Sequence, residues 1–319
     1  MVLRFGKEEV KAVSKTITNA SYLSGYTNKY LGGEEIQKFE KDFARFHQCK
    51  YGITVNSGTT ALFVAQLAAG IKSKNKVAVP CYTFTASTSQ IVAHGAKPIF
   101  QDIDTESHCM NTISKNTKFA IPVHLLGHPC KHEFIKEMME KNIFVIEDCA
   151  QSSGAKYKGK SVGSMGNCGV FSFQETKHIT TLGEGGIIVT NNESINRYCK
   201  SAANQGRSDD MQWLTHDKLG FNYRMDEMSA ALGVSQLSKI HQFIQKRQEI
   251  AQRYSTLLKD YNKVKTPLIR SENISSWFVY PIRVSAEIRD QVIYVLGSKG
   301  IQSKAYFYPC IHLQPFFKK

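Results

Sequence analysis

Short apolar segments alternate with helix-length amphipathic segments along much of the chain. Six β-rich segments are followed by polar or glycine-rich turns, at residues 76–80, 96–100, 119–123, 142–146, 169–173 and 186–190. Stretches with apolar residues at helical spacing precede the first, second and fourth of these segments, at residues 59–69, 85–94 and 131–141. This alternation predicts right-handed βαβ units, and therefore an α/β fold with a mainly parallel sheet between helices.

The pattern changes toward the C-terminus. Residues 226–252 predict one long helix without any strand pattern. Beyond it, residues 277–284 and 305–309 indicate a smaller α/β unit. We therefore predict a large domain over residues 1–240 and a small C-terminal domain over residues 241–319.

Length, charge and cysteine usage narrow the class of protein. A chain of 319 residues is typical of about two domains. Its net charge of +14 favours anionic partners such as nucleotides and phosphates. No apolar segment is long enough for a membrane span, and the N-terminus lacks an apolar signal core. Eight cysteines without a CxxC pair indicate reduced thiols, so we expect a cytoplasmic protein without membrane association.

A candidate phosphate site lies at the start of the first predicted helix, in VNSGTTALFVAQLAA at residues 55–69. Free backbone N–H groups at Gly58 and Thr59, with the hydroxyls of Ser57 and Thr59, suit a phosphate at a helix N-terminus. An ordinary serine N-cap would give the same pattern. Neither a GxGxxG dinucleotide fingerprint nor a P-loop motif is present.

Two further candidates follow predicted strands. In NIFVIEDCAQ, Asp148 would sit at the carboxyl edge of the sheet, where it suits a cation, a ribose, a protonated ring nitrogen or a simple turn cap. In GVFSFQETKHITTLGEGG, Ser172 and Lys177 lie in a strand and the loop after it. A lysine is ordinarily a solvated surface charge, but one held at a sheet edge can have its pKa lowered enough for covalent catalysis.

Six ordered motifs resemble those of one known family. They are NSGTTAL, PCYTFTAS, GAKPIFQDID, IEDCAQSSGA, FSFQETKHITTLGEGG and GFNYRMDEMSAALGVSQL. Together they resemble the DegT/DnrJ/EryC1/StrS family of pyridoxal-phosphate-dependent sugar aminotransferases, over nearly the whole chain. The resemblance implies an aspartate-aminotransferase-like fold (PLP fold type I) and a homodimer with active sites at the subunit interface.

The resemblance also implies roles for the reactive end of the site. Lys177 matches the lysine that bonds covalently to the cofactor and moves the proton during transamination. Asp148 matches the carboxylate that pairs with the pyridine nitrogen, and Gln151 matches the residue near the phenolic oxygen. Phe84 matches the aromatic residue over the pyridine ring, with Tyr82 as the less favoured alternative.

For the phosphate end, the resemblance implies a second group of contacts. Gly58, Thr59 and Ser172 match phosphate contacts, and Ser57 adds a hydroxyl to the same cradle. Asn222, in GFNYRM, resembles the asparagine that reaches the phosphate from the other subunit. Arg207 and Arg224 are the only arginines that we place near the predicted site.

Two departures from the family pattern bear on these expectations. Ser152 and Ser153 stand where many members carry alanine and histidine, which we expect to affect substrate preference. Family chains usually continue well beyond the HLQP segment at residues 312–315, whereas this one ends at Lys319. We therefore expect a small domain that is shorter than usual.

A metal site is a weaker hypothesis. His124, His128 and His132, with Cys130 among them, have ligand chemistry. However, Gly127 and Pro129 interrupt any helix that would align them, and no second ligand cluster is visible in the sequence. We expect no bound metal.

These observations lead to a function and its competitors. We expect an aminotransferase that converts a keto sugar, linked to a nucleotide, into an amino sugar with glutamate or glutamine as donor and 2-oxoglutarate as the keto acid. A cyclitol ketone is the alternative substrate. A dehydratase of this family would carry histidine in place of Lys177. A regulatory or nucleic-acid-binding protein would need a recognition motif that the sequence lacks.

Overall fold

The computed structural model describes residues 4–24, 31–208, 215–268 and 270–318. Within them the strands are β1 (Tyr51–Val55), β2 (Lys76–Pro80), β3 (Lys97–Gln101), β4 (Phe119–Ala120), β5 (Phe144–Asp148), β6 (Lys156–Tyr157), β7 (Lys160–Ser161), β8 (Cys168–Ser172), β9 (Gly186–Thr190) and β10 (Asn273–Ile274). The helices are α1 (Lys7–Asn19), α2 (Glu34–Phe46), α3 (Gly58–Ala68), α4 (Ala86–Ala93), α5 (His132–Glu140), α6 (Glu193–Ala203), α7 (Glu227–Ser238), α8 (Ile240–Leu258) and α9 (Ala286–Ser298).

Seven strands form the central sheet, in the order β1-β9-β8-β5-β4-β2-β3. The five strands from β8 to β3 run parallel to one another. Strand β9 pairs antiparallel with both β1 and β8, so it alone runs against the rest of this sheet. The predicted α/β class with a mainly parallel sheet is confirmed.

The sheet separates two hydrophobic clusters because neighbouring residues of a strand point to opposite faces. In β8, Phe171 belongs to the first cluster and Val170 to the second. The first cluster includes Phe39 and Phe43 of α2, and the second includes the apolar face of α3. Each buried side chain of this size stabilises the fold by about 1.5–3 kcal/mol.

The strands differ from the prediction at two places. Strand β1 was not predicted, although it forms one edge of the sheet beside β9. The predicted strand at 119–123 is reduced to β4, because Pro122 has no N–H group to donate to a ladder. The chain nevertheless continues beside β5, since the Asp148 N–H donates to the carbonyl of Pro122 over 2.9 Å.

The predicted single helix at 226–252 is wrong in one respect, because it is two helices that meet at Lys239. Lys239 pairs with the carboxylate of Glu9 in α1, and Ile240 and Ile244 are buried immediately after the break. The second helix, α8, therefore has buried apolar positions of its own, at Ile240, Ile244 and Ala251. The division into two domains near residue 240 stays a prediction.

The two C-terminal apolar segments do not form the strands expected of a small α/β unit. Trp277 has a φ of 51°, a left-handed conformation that a strand does not accommodate. Instead, Lys265 and Arg283 make a single bridge, and β10 pairs with β6 of the preceding part of the chain. None of the helices in the described ranges has the length and apolar character needed to cross a lipid bilayer.

Candidate active site

Polar residues follow or end three strands at the carboxyl-terminal side of the parallel strands, which is called the sheet edge below. Strands β1, β5 and β8 end there, and antiparallel β9 begins there, with Gly186 paired to both Val55 and Ser172. Asp148 is the last residue of β5 and pairs with Val170 of β8. Ligands of open α/β sheets bind outside the carboxyl ends of the strands, so this edge is the candidate site.

Asp148 is held in a fixed orientation from two sides. Its side chain is buried, and Oδ2 accepts a 2.7 Å hydrogen bond from Oγ of Ser87 in α4. Its Oδ1 accepts a 3.1 Å hydrogen bond from the backbone N–H of Ala150. Both carboxylate oxygens thus have a donor within the chain, which fixes the plane of the group at the sheet edge.

Lys177 lies in the loop between β8 and β9 and is largely removed from solvent. Burial lowers the pKa of its ammonium group, while the negative charges of Asp148 and Glu184 act in the opposite direction. The carbonyl of Lys177 accepts a 3.0 Å hydrogen bond from Arg4, which ties the loop to the N-terminal segment. A lysine with a lowered pKa can reach the neutral form that covalent catalysis requires.

The predicted phosphate contacts adjoin one another at the start of α3. Ser57 is the N-cap of this helix and accepts a 3.1 Å hydrogen bond from the Thr60 N–H, so its hydroxyl already has one partner. A Cβ atom on Gly58 would lie 2.7 Å from Cβ of Ser172, so only glycine allows this approach. Thr59 is exposed in the first turn of the helix. The first N–H groups of a helix have no intrahelical acceptor, which suits an anion at this position.

Gln151 connects the site to two distant segments. Its Oε1 accepts a 3.0 Å hydrogen bond from the Leu126 N–H, and its Nε2 donates a 3.0 Å hydrogen bond to the hydroxyl of Tyr306. Burial raises the pKa of Tyr306 to about 12, so its hydroxyl stays protonated near neutral pH. Because that hydroxyl accepts from Gln151, its own proton remains available to a ligand.

The two aromatic candidates have different environments. Phe84 is 56% exposed, and its ring centroid lies 6.1 Å from that of Phe307. Tyr82 instead donates a 2.7 Å hydrogen bond to the carbonyl of Tyr306 and is half-buried. An exposed ring can cover a ligand, whereas Tyr82 is committed to a structural contact. This difference favours Phe84.

Asn222 belongs to the segment between α6 and α7. Its side chain is exposed, and its backbone makes an antiparallel bridge with Asn204. Arg224 donates a 3.1 Å hydrogen bond to Oδ1 of Asn204, which supports the same segment. A role for Asn222 in the site of a second subunit stays a prediction.

Sequence reasoning missed three residues of the site, namely Ser87, Tyr306 and Phe278, whose ring centroid lies 4.7 Å from Nζ of Lys177. Ser87 was detectable in principle, because it lies inside PCYTFTAS, in the first turn of the helix that follows the strand end at Pro80. Tyr306 and Phe278 belong to the C-terminal part of the chain, and both come more than 100 residues after Lys177 in the sequence. A local sequence pattern does not predict a contact between residues so far apart in the chain.

A second buried cluster lies behind Asp148. The Glu147 carboxylate accepts hydrogen bonds from the N–H groups of Gly163, Met165 and Gly166, at 2.9, 2.7 and 2.6 Å. His124 lies 2.8 Å from the same carboxylate through Nε2, and its Nδ1 accepts from the Cys130 N–H. Cys149 completes a trio of potential metal ligands, but these hydrogen bonds occupy the histidine and the carboxylate. The cluster therefore acts as a structural anchor for the end of β5.

The histidines of the weaker metal hypothesis do not converge. His128 Nε2 lies 3.0 Å from Nδ2 of Asn273, whereas His132 Nε2 lies 3.4 Å from Nζ of Lys160. His124 faces Glu147. Since each ring contacts a different side chain, the structure does not bring the three together.

Two features define the class of protein. One is the order of the sheet with its single antiparallel strand β9, and the other is the loop of Lys177 near Asp148 at the sheet edge. The chain has the architecture of aminotransferases of PLP fold type I. The solved structure of an aminotransferase from Psychrobacter cryohalolentis is similar with a TM-score of 0.90 and 30% sequence identity. That similarity covers 99% of this chain and 86% of the other.

Sequence comparison specifies the family. The profile of the DegT/DnrJ/EryC1/StrS aminotransferase family matches residues 9–319. The chain is 40% identical to GDP-perosamine synthase of Escherichia coli O157:H7, over 90% of this chain and 80% of that protein. It is 29% identical to dTDP-3-amino-3,4,6-trideoxy-alpha-D-glucose transaminase of Streptomyces venezuelae, over 99% of this chain and 83% of that protein. The chain belongs to the DegT/DnrJ/EryC1/StrS aminotransferase family.

Proposed function

We propose that this aminotransferase converts a nucleotide-linked keto sugar into an amino sugar. Glutamate or glutamine donates the amino group and 2-oxoglutarate is the matching keto acid. Pyridoxal phosphate is the cofactor, and Lys177 is its covalent anchor. The observation that carries this proposal is the juxtaposition, at one sheet edge, of a lysine with a lowered pKa and an aspartate oriented by two hydrogen bonds.

The residues at this edge fit pyridoxal phosphate. Gly58 approaches Ser172 so closely that a side chain would fill the space between α3 and β8. The helix start and the hydroxyls of Ser57, Thr59 and Ser172 offer donors of the kind that bind a phosphate. Asp148 offers a buried carboxylate for a pyridine nitrogen, and Gln151 offers an amide near the phenolic oxygen.

Each of these side chains has a definite task. When bound, pyridoxal phosphate supplies the electron sink for removal of a proton from the carbon that bears the amino group. Lys177 Nζ would take up that proton and deliver it to the aldehyde carbon of the cofactor, which requires an amine whose pKa is near the working pH. Asp148 keeps a proton on the ring nitrogen, and Ser87 holds Asp148 in place. Phe84 covers one face of the site.

The substrate class rests on the relatives and on charge. Two relatives of this chain carry a GDP-linked and a dTDP-linked amino sugar in their names. A net charge of +14 favours a substrate that bears a diphosphate. We further infer a homodimer in which Asn222 contacts the phosphate held by the other subunit, and a cytoplasmic location.

The proposed substrate class is tested by running the reaction in reverse. A panel of nucleotide-linked amino sugars is incubated with 2-oxoglutarate, and glutamate formation is followed with a coupled dehydrogenase. We expect glutamate from at least one amino sugar and none with a Lys177→Arg variant, which keeps the charge but cannot anchor the cofactor. Glutamate from aspartate alone would rule out the sugar substrate.

The nucleotide and the cyclitol alternative are separated by ligand titration. GDP, dTDP and UDP are titrated into the protein at low and at high salt. An enzyme for nucleotide sugars binds one of these nucleotides, with an affinity that falls as salt screens the diphosphate. Indifference to all three, together with turnover of an amino cyclitol, would favour the cyclitol ketone.

A further inference from the structure

Residues 276–278, from the C-terminal part of the chain, lie beside Lys177. The N–H groups of Ser276 and Phe278 donate to the carbonyls of Gly127 and Leu126, at 2.9 and 3.1 Å. Gly127 has a φ of 91°, and a Cβ atom there would lie 2.4 Å from the backbone nitrogen of Trp277. Only glycine permits this approach, so the position of residues 276–278 is built into the loop that also contacts Gln151.

The same segment is held from its other side by α8. Arg247 donates through Nη1 to the carbonyls of Trp277 and Phe278, at 2.9 and 3.1 Å. His178 contacts the segment as well, with Nε2 lying 3.0 Å from the carbonyl of Ser276. The backbone around Phe278 is therefore fixed by three separate elements.

This arrangement places the ring of Phe278 against the ammonium group of Lys177. Nζ of Lys177 lies 4.7 Å from the ring centroid, which is within the range of a cation–π interaction. In the described part of the chain, no carboxylate oxygen lies within salt-bridge distance of this nitrogen, although Asp148 and Glu184 act on it at longer range. The aromatic face is thus the direct contact of the cation.

We propose that Phe278 is a positioning residue, whose ring face stabilises the protonated form of Lys177 when the lysine is not bonded to cofactor. The proposal rests on the proposed function, in which Lys177 gains and loses a proton in each turnover. Burial disfavours the cation and the ring offsets part of that effect. The amine is thereby kept in the site between its two tasks of anchoring and proton transfer.

The other charged or titratable groups around Lys177 are common to every variant of the test. They are Asp148 at the end of β5, Glu184 in the same loop, His178 beside it, Arg4 at its carbonyl, and Arg247 behind the Phe278 backbone. Burial lowers the pKa of His178 to about 3, so its ring is neutral near neutral pH. A change confined to the Phe278 ring therefore reports on the ring alone.

The test replaces Phe278 with mono-, di- and trifluorinated phenylalanine. Fluorine withdraws charge from the ring face and leaves the shape nearly unchanged, so it weakens a cation–π contact stepwise. Full-length protein freed of cofactor is acetylated competitively across a pH series, and the peptide containing Lys177 is quantified by mass spectrometry. The midpoint of the profile reports the pKa of Lys177, and its plateau reports accessibility.

We expect the midpoint to move to lower pH with each added fluorine. At a fixed pH below the midpoint, the acetylation rate of Lys177 is divided by its high-pH plateau. This ratio should rise by about two- to five-fold from phenylalanine to trifluorophenylalanine at position 278. The same replacements at Phe63, whose ring stacks on His94 with centroids 4.3 Å apart, should leave the Lys177 profile unchanged. A midpoint that is constant across the Phe278 series would overturn the proposal.

Natural variants give a second measurement if fluorinated protein folds poorly. Phe278→Leu should lower the midpoint, and Phe278→Tyr, which retains an aromatic face, should restore it. Equal midpoints in the leucine and tyrosine variants would also overturn the proposal. The labelling needs no bound cofactor, so it remains informative if cofactor mapping assigns the anchor to a lysine other than Lys177.

Discussion

Oγ of Ser87 lies 2.7 Å from Oδ2 of Asp148, although 61 residues separate them in the sequence. The hydroxyl donates to a buried carboxylate, and a hydrogen bond to a charged group is worth about 1.5–3 kcal/mol. Ser87→Ala should therefore leave Asp148 less well oriented and reduce kcat by about ten- to a hundred-fold. Steady-state kinetics with the preferred amino sugar measures this loss.

Two further variants serve as controls for the effect of Ser87→Ala on turnover. Asp148→Asn removes the charge itself and should nearly abolish turnover while the protein stays folded. Thr83→Val removes the hydroxyl that lies 2.9 Å from Ser87 without touching Asp148, so its effect should be smaller than that of Ser87→Ala. Wild-type turnover in Ser87→Ala beside an inactive Asp148→Asn would mean that Ser87 does not orient the carboxylate.

The contact between Gly58 and Ser172 gives a prediction about cofactor affinity. Gly58→Ala introduces a Cβ atom 2.7 Å from Cβ of Ser172, and overpacking of this kind costs about 1–3 kcal/mol. The helix start should move away from the strand end, and pyridoxal phosphate should bind about ten-fold or more weakly. Absorbance titration of cofactor-free protein measures the affinity.

The matched control is the double variant Gly58→Ala with Ser172→Gly. It removes the two closest atoms and leaves Cα of residue 172 at 3.2 Å from the new Cβ atom, so it should bind cofactor more tightly than Gly58→Ala alone. If Gly58→Ala binds cofactor like the unmodified protein, the close approach is not part of the phosphate site.

Buried histidines predict that acid destabilises the fold. Burial lowers the pKa of His47 to about 3, whereas an unfolded histidine titrates near 6.5. Below about pH 6.5 the unfolded chain binds a proton that the folded chain excludes, so stability falls as pH falls from there toward 3. Between about pH 7 and 5.5, each such histidine should lower the free energy of unfolding by about 1 kcal/mol.

Urea unfolding at the two pH values measures the total loss, and His47→Asn isolates one contribution. Asparagine does not titrate. In the unmodified protein, Nδ1 of His47 lies 3.0 Å from the carbonyl oxygen of Val162, and the asparagine amide can replace it as the donor. The acid-induced loss should be about 1 kcal/mol smaller in this variant. An identical loss in both proteins would show that His47 takes up its proton without unfolding.

The subunit arrangement is tested by mixing two inactive variants. In a heterodimer of Lys177→Ala and Asn222→Ala subunits, a cross-subunit role for Asn222 leaves one complete site. Random mixing should then restore about a quarter of the normal activity, because half of the dimers carry one intact site of two. If Asn222 serves its own subunit, every site in the mixture is defective and no activity returns.

The sequence predicted the helices and strands that alternate most regularly. The strand at 186–190 matches β9, and the three predicted helices between 59 and 141 match α3, α4 and α5 within one residue at each end. Their patterns are local, so a short window contains the information. The antiparallel direction of β9 was not predictable in this way, because it depends on which neighbours it pairs with.

Features that depend on distant contacts were missed for the same reason. Strand β1 is an exception, because YGITV is as long as β9 and rich in strand-favouring residues, so its pattern was visible in the sequence. The two helices meet at Lys239, which pairs with Glu9 of α1, more than 200 residues earlier in the chain. Likewise Ser87, Tyr306 and Phe278 belong to the site through tertiary contacts, whereas Lys177 and Asp148 stand directly after recognisable strand patterns.

The position of the covalent link to the cofactor tests the role of Lys177 most directly. Protein saturated with pyridoxal phosphate is reduced with borohydride, digested, and mapped by mass spectrometry. We expect the pyridoxyl mass on Lys177, and loss of that label in Lys177→Arg. A label on another lysine, with none on Lys177, would contradict that role.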